Sequence, residues 1–209
     1  MDYAAARKVM VDSQVRVNDV TDRAVQAAML AVPRERFVPA DRAFAAYAEV
    51  EVEIAAGRKL MLARDLSKLL QNLDAREGET VLAVAAPYAA AVLARMGLTV
   101  TAQESDAAVF EVAGAALAEA GVQTVVAPLT QPAAGDWDII ISEGAVAARP
   151  EAWIAALKIG GRLVVVERPG AAGKAVLYVR GAAGVSRREL FDAHPDVLAE
   201  LTPEPTFAL

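Results

Sequence analysis

Two glutamates are the side chains best placed for chemistry, because each lies at the carboxyl end of a predicted strand. Glu104 ends the segment LTVTAQE (98–104), and Glu143 lies in IISEGA, after the strand predicted within 136–145. A carboxylate at the end of such a strand can accept hydrogen bonds from ligand hydroxyls or serve as a general base. The sequence offers no partner for Glu143 as a base, so a capping or solvated role is favoured for it.

Other reactive residue types are scarce. The 209 residues include no Cys and one His, which excludes disulfides, thiolate zinc sites and cysteine nucleophiles and argues against a multi-histidine metal site or a Ser-His-Asp triad. His194 precedes Pro195 in a polar turn, where a surface role is favoured over proton transfer. Asp136 and Asp138 flank Trp137 with the spacing of a turn entering a strand, and no metal site is predicted.

Composition limits the classes of partner. The net charge of −6 and pI near 4.9 argue against nucleic-acid binding, and the pairs Arg58–Lys59 and Arg187–Arg188 are interpreted as solvated surface. The chain is 56% hydrophobic, mostly Ala and Val, but no eighteen-residue window is apolar enough for a membrane helix. The charged start, MDYAAARKVMVDSQVR, is unlike a secretory signal, so we expect a cytoplasmic protein without membrane partners.

The elements that position these residues fall into two parts of one predicted domain, 1–209. The first part, 1–76, is predicted as a cap of helices with a strand. Asp19 or Thr21 can cap its second helix, and Pro33 ends that helix. The predicted elements of this cap are a helix over 3–14, a helix ending before residue 33, a half-exposed strand over 49–54 and a helix over 63–73.

The second part, 77–209, alternates strands and helices and predicts an α/β fold. Such alternation gives a Rossmann-like, doubly wound, mostly parallel sheet with helices on both faces. Two segments after residue 173 are predicted to close it as an antiparallel pair. A cofactor would bind at the carboxyl ends of the strands, in loops 85–88, 104–106 and 127–130. The predicted core elements are strands 80–86, 98–104, 122–127, one within 136–145 and 162–168, and helices 88–97, 106–121 and about 151–158.

Several segments resemble the protein-L-isoaspartate O-methyltransferase family. AVQAAMLAVPRERFVP (24–39) and AYAEVEVEI (46–54) match its N-terminal signature, and YAAAVLA (88–94), DWDIII (136–141) and LKIGGRLVVV (157–166) match its core. The resemblance implies a class I methyltransferase fold with S-adenosylmethionine as cofactor. It also implies methyl transfer to the free α-carboxylate of isoaspartyl residues in damaged proteins.

The cofactor loop departs from the family pattern. The family has an acidic-x-G-x-G-x-G loop after the first core strand, where glycine lets the backbone approach the cofactor and helix N–H groups receive its carboxylate. Here 81–94 reads VLAVAAPYAAAVLA, about two residues shorter and without glycine, and Ala83 replaces the acid. Glu104 matches the family's ribose-binding acid, and it is either retained for binding or left as a solvated loop residue. The vestigial cofactor positions are therefore Ala85, Ala86, Pro87, Tyr88 and Glu104.

The substrate loop departs as well. The family pattern G-x-G-Q-T-I-S-x-P aligns with AAGRKLMLAR (55–64), in which Gly57 persists but the Thr and Ser positions are Lys59 and Met61, with Leu60 between them. Met61 cannot donate a hydrogen bond to a carboxylate, whereas Lys59 could attract one. Alternatively, Lys59 is a surface residue and Met61 packs inward. The family's adenine-binding Gly-Asp pair is Ala127–Pro128 here.

Together these departures predict a family member with weak or lost S-adenosylmethionine binding. Such a protein would act as a binding or regulatory module for a protein partner or a second copy of itself. The alternative is an active isoaspartyl methyltransferase in which Glu104 grips the ribose and the backbone of 85–88 replaces the glycines. A third reading is a cleft for another small anion, bound through Lys59 or Arg64.

Overall fold

The computed structural model describes residues 1–202, and its centre is a seven-stranded sheet. The sheet strands are β3 (Thr80–Val84), β4 (Thr99–Glu104), β5 (Gln123–Val126), β6 (Trp137–Val146), β7 (Leu157–Glu167), β8 (Lys174–Gly181) and β9 (Gly184–Asp192). They lie in the order β5-β4-β3-β6-β7-β8-β9, in which neighbouring strands from β5 to β7 are parallel and β8 and β9 are added antiparallel. This confirms the predicted doubly wound fold and its closing pair.

The sheet is covered on both faces because its central strands are apolar on both sides. In β3, Val81 and Ala83 face one apolar cluster, whereas Leu82 and Val84 face the other. A strand buried on both faces is typical of a parallel sheet. The helices are α1 (Tyr3–Met10), α2 (Arg23–Ala31), α3 (Ala63–Asn72), α4 (Pro87–Arg95), α5 (Ala107–Glu119) and α6 (Glu151–Ala155).

Helix boundaries differ from the predictions most clearly at three places. The first helix leaves α geometry at Met10 and continues as a π-helical turn, Val11–Val15. Asp22 caps α2, and not Asp19 or Thr21, because its carboxylate accepts hydrogen bonds from the N–H groups of the first turn. Helix α6 ends at Ala155, so Lys158 belongs to β7.

A small hairpin precedes the main sheet. Strands β1 (Val52–Ala55) and β2 (Arg58–Leu60) pair antiparallel through a two-residue turn, Ala56–Gly57. Both turn residues have positive φ, 50° and 76°, the conformation that two-residue hairpins favour. The hairpin starts three residues later than the predicted strand, and its second strand carries Arg58 toward the main sheet.

The last described segment, residues 195–201, crosses the carboxyl edge of the sheet, and we call it the strap. The N–H of Ala145 donates to the carbonyl of Asp196, and the N–H of Leu198 donates to the carbonyl of Ala145, both at 2.9 Å. The strap therefore lies beside the end of β6 as a short parallel bridge. No helix within residues 1–202 is long and apolar enough to cross a bilayer.

Candidate functional site

The turn between β3 and α4 consists of only Ala85 and Ala86. Ala85 has a φ of 50°, a left-handed conformation that usually requires glycine, and its N–H donates to the carbonyl of Gln103 at 2.9 Å. Both alanines are buried. Pro87 is the first residue of α4 and contributes no N–H. The turn is therefore short, filled by two Cβ atoms and poor in free N–H donors.

Glu143 occupies the N-terminus of α4. Its carboxylate accepts a hydrogen bond from the N–H of Ala89 at 2.7 Å and a longer one from the N–H of Met61 at 3.4 Å. Burial raises the pKa of Glu143, and the Ala89 hydrogen bond and the charge of Arg34 oppose that rise. The side chain therefore caps α4, which was one of the two roles favoured from the sequence. It is buried, so the other role, a solvated side chain, is wrong. It stands where the resemblance expects the carboxylate of the cofactor.

Glu104 lies at the end of β4 with 1% of its side chain exposed, and it forms an ion pair with Arg58. The Nε of Arg58 donates to Oε2 of Glu104 at 2.9 Å. The other oxygen, Oε1, has no hydrogen-bond partner among residues 1–202. Burial raises the pKa of Glu104 to about 7, although Arg58 acts to lower it. The carboxylate predicted for the ribose is thus paired within the chain.

Arg58 also ties the strap to the sheet. Its Nη2 donates to Oγ of Ser105 at 2.9 Å and to Oε1 of Glu200 at 2.7 Å, and Ser105 is also hydrogen-bonded to Glu200. Burial acts to raise the pKa of Glu200, but the bonds from Ser105 and Arg58 outweigh it and lower that pKa. Only 7% of the Arg58 side chain is exposed, so the prediction that this residue is solvated surface is wrong.

The residues of the expected substrate loop are dispersed. Lys59 faces the strap and pairs with Asp196, while Leu60 and Met61 are buried. Met61 therefore packs inward, and its carbonyl accepts a hydrogen bond from the buried Arg34. Arg64, the other candidate for an anion, pairs with Glu49 at 2.7 Å. The structure does not bring these residues together as a carboxylate-binding loop.

Tyr88, predicted as a vestigial cofactor contact, lies in the core instead. Its ring packs against Phe37 at 5.3 Å between centroids and under the guanidinium of Arg34 at 4.8 Å. The side chain is fully buried, and its hydroxyl has no hydrogen-bond partner within residues 1–202. The side chain of Tyr88 is therefore part of the apolar core.

The expected adenine position is stabilised by a residue that sequence reasoning missed. The buried side-chain amide of Gln103 donates to the carbonyls of Pro128 at 2.9 Å and Gln131 at 2.8 Å. Its oxygen accepts from the N–H of Ala133 at 2.8 Å. A polar residue inside an apolar strand was the available signal. The loop that follows β5 is thus held by an amide, and no carboxylate of that loop reaches the cleft.

A cavity of about 300 Å³ remains between the β1–β2 hairpin, the end of β6 and the strap. That volume is at the lower end for ligand pockets. Its wall includes Gly57, Lys59, Ala85, Glu143, Asp196 and Leu198. Two Cβ atoms line the turn, the carboxylate of Glu143 caps α4 and the guanidinium of Arg58 pairs with Glu104, so the chain's own side chains contact the groups that the resemblance assigns to the cofactor.

Comparisons with known proteins identify the family. The family model described as protein-L-isoaspartate(D-aspartate) O-methyltransferase matches residues 5–186. A protein-L-isoaspartate O-methyltransferase of Methylorubrum extorquens is 41% identical over 175 residues, covering 80% of this chain and 76% of the relative. The corresponding protein of Methylorubrum populi is 39% identical over 171 residues, covering 79% and 81%.

Solved structures agree with the fold. A Plasmodium falciparum structure assigned to the same family, in complex with S-adenosyl-L-homocysteine, superposes with a TM-score of 0.79 at 15% identity, covering 93% of this chain and 98% of that one. A second protein-L-isoaspartate O-methyltransferase superposes with a TM-score of 0.73 at 19% identity, covering 94% and 67%. The family model matches most of this chain, and a curated relative is 41% identical to it. This chain therefore belongs to the protein-L-isoaspartate(D-aspartate) O-methyltransferase family.

Proposed function

We propose that this family member binds S-adenosylmethionine weakly or not at all and acts as a binding or regulatory module. One observation supports the proposal: two charged side chains of this chain contact the groups that the resemblance assigns to cofactor binding. Glu143 accepts a hydrogen bond from the N–H of Ala89 at the start of α4, and Arg58 donates one to the carboxylate of Glu104. A cofactor would have to displace both buried groups at once.

Displacement would be costly for a physical reason. Removing one partner of a buried ion pair leaves the other charge uncompensated, at a cost of about 3 to 5 kcal/mol. The turn at Ala85 adds a second obstacle, because its Cβ atoms cannot withdraw as a flexible side chain can. Both effects act against the ligand before any favourable contact forms.

The second candidate is an active S-adenosylmethionine-dependent protein-L-isoaspartate O-methyltransferase, and the comparisons favour it. The relatives at 41% and 39% identity are named as that enzyme, and each aligns with most of this chain. For this function Arg58 and Glu143 must both leave their partners, and the backbone of residues 85–88 must hold the cofactor without glycine. The geometry of the cleft favours the first proposal.

Transfer of labelled methyl groups to an isoaspartyl peptide separates the two candidates. The chain and the Methylorubrum extorquens relative should be assayed side by side with S-adenosylmethionine at about 1 mM, the upper end of typical KM values. We expect incorporation by the relative and none above background by this chain. Incorporation by this chain at a rate near that of the relative would establish the second candidate.

A further inference from the structure

The strap lies in a groove that recognises it chiefly through main-chain atoms. Ala145, at the end of β6, both donates to Asp196 and accepts from Leu198 at 2.9 Å. On the other side, Nη1 of Arg168 donates to the carbonyls of His194 at 3.2 Å and Pro195 at 2.9 Å. Main-chain recognition of an extended segment by a sheet is largely independent of sequence and supplies affinity.

Besides Glu200, which Arg58 and Ser105 hold, two further side chains of the strap contact the groove. Leu198 is buried against Gly144, and a Cβ atom added at Gly144 would overlap the leucine side chain. Glycine at this position therefore forms a notch that a leucine fills. Two residues earlier, the carboxylate of Asp196 pairs with Lys59 and lies 3.9 Å from Arg168. The groove thus binds a carboxylate side chain and a leucine side chain that are separated by one residue.

The side chain between Asp196 and Leu198 is not bound by the groove in the same way. Val197 is only partly buried, and Ala199 after the leucine is exposed. Asp196 itself is 60% exposed, so the strap is held by a few buried groups and by charges in contact with solvent. Segments with few buried contacts open at low free-energy cost compared with the core.

We propose that this groove is a binding site for extended segments of the form Asp-x-Leu, and that the strap is its resident intramolecular ligand. The proposal deepens the binding role proposed above, since it names the chemistry of the partner. A partner segment would place its aspartate on Lys59 and its leucine on Gly144 after the strap has left. An intramolecular ligand competes at an effective concentration of about millimolar, so binding in trans is weakened until the strap is itself weakened.

The test uses a labelled peptide with the sequence of residues 194–202, HPDVLAELT, titrated into the full chain and followed by fluorescence anisotropy. Leu198→Ala in the chain weakens the strap but leaves the groove intact, and Asp196→Asn does so by a different contact. We expect both variants to bind the peptide about tenfold or more tightly than the unmodified chain. Ala199→Ser, at an exposed strap position, is the matched control and should behave as the unmodified chain.

Control peptides report on the two specificity contacts. Replacing the leucine that corresponds to Leu198 by alanine, or the aspartate that corresponds to Asp196 by asparagine, should each weaken binding to the variant chains about tenfold. Equal affinity of all chains for the peptide, or equal affinity of the alanine peptide, would overturn the proposal. If Leu198→Ala lowers the melting temperature so far that the chain unfolds, Asp196→Asn decides alone. Titration of S-adenosylmethionine into the same samples tests the proposed function separately.

Discussion

The carboxylate of Glu143 lies 2.7 Å from the N–H of Ala89, at the start of the helix that follows the first core strand. A helix N-terminus in this position of a parallel α/β sheet is a ready anion site. Here the anion is the buried carboxylate of Glu143, which is held in place by β6, the strand that pairs with β3 in the sheet. In this chain the anion site at the start of α4 is therefore occupied by the carboxylate of Glu143.

Glu143→Ala should destabilise the protein by about 2 kcal/mol, because it leaves the buried N–H of Ala89 without an acceptor. Glu143→Gln keeps an oxygen of the same reach and should cost less than half as much. Urea unfolding measures both, and Glu111→Ala, at an exposed position of α5, is the control. Equal losses for Ala and Gln would show that the cap is not the origin of the effect.

Arg58→Ala should destabilise the protein by about 3 kcal/mol at pH 8, since it leaves the carboxylate of Glu104 buried without its cation. The loss should shrink on acidification, because Glu104 can then take up a proton. Arg42→Ala is the matched control: its partner Glu53 is nearly half exposed, and a change within about 0.5 kcal/mol is expected. Similar losses for the two variants would contradict the burial of the Arg58 pair.

Stability should depend on pH through Glu104. Burial raises the pKa of this carboxyl to about 7, so the folded state binds the proton more tightly than the unfolded chain does. The resulting stabilisation is complete below the ordinary pKa and is lost as the pH rises through about 7. Between about pH 8 and about pH 5.5 the chain should gain about 2 kcal/mol more than Glu104→Gln. Parallel profiles for the two proteins would contradict the raised pKa.

The hairpin that delivers Arg58 can be tuned at its turn. Ala56 is exposed with a φ of 50°, so Ala56→Asn should stabilise the protein by about 0.5 kcal/mol, as asparagine tolerates this conformation better. Gly57→Ala should destabilise it by about 1 kcal/mol through backbone strain alone, since a Cβ atom there would meet no atom within 4 Å. Thermal unfolding of both variants checks the opposite signs. A stabilising Gly57→Ala would be the contrary result.

The sheet could be predicted because its information is local. β3 is an uninterrupted apolar run between turn residues, and the strand–helix alternation that follows it admits few topologies. The internal occupancy of the cleft could not be predicted in this way. Arg58 meets Glu104 across 46 residues and Glu200 across 142, and beside Lys59 it reads as part of a solvated basic pair. Its burial depends on the hairpin, whose second strand carries no strong strand pattern.

Glu143 is an intermediate case. The strand pattern placed Glu143 just after the fourth core strand, whereas it lies within β6. Its capping role was one of two readings of an acid without a partner. The choice between capping and solvation depends on the distance from β6 to the start of α4, which only the packed sheet sets. The pairing of Lys59 with Asp196 likewise depends on the path of the strap, and no periodicity in 193–202 indicates that path.

Binding of the cofactor itself tests the central claim most directly. S-adenosylmethionine and S-adenosyl-L-homocysteine should be titrated calorimetrically into this chain and into the Methylorubrum extorquens relative, and melting temperatures measured at about 1 mM ligand. A ligand at a hundred times its dissociation constant stabilises the folded state by about 2.7 kcal/mol, which raises the melting temperature by several degrees. We predict a shift and saturable heat for the relative, and neither for this chain. Saturable binding by this chain with a similar shift would contradict a cleft filled by Arg58 and Glu143.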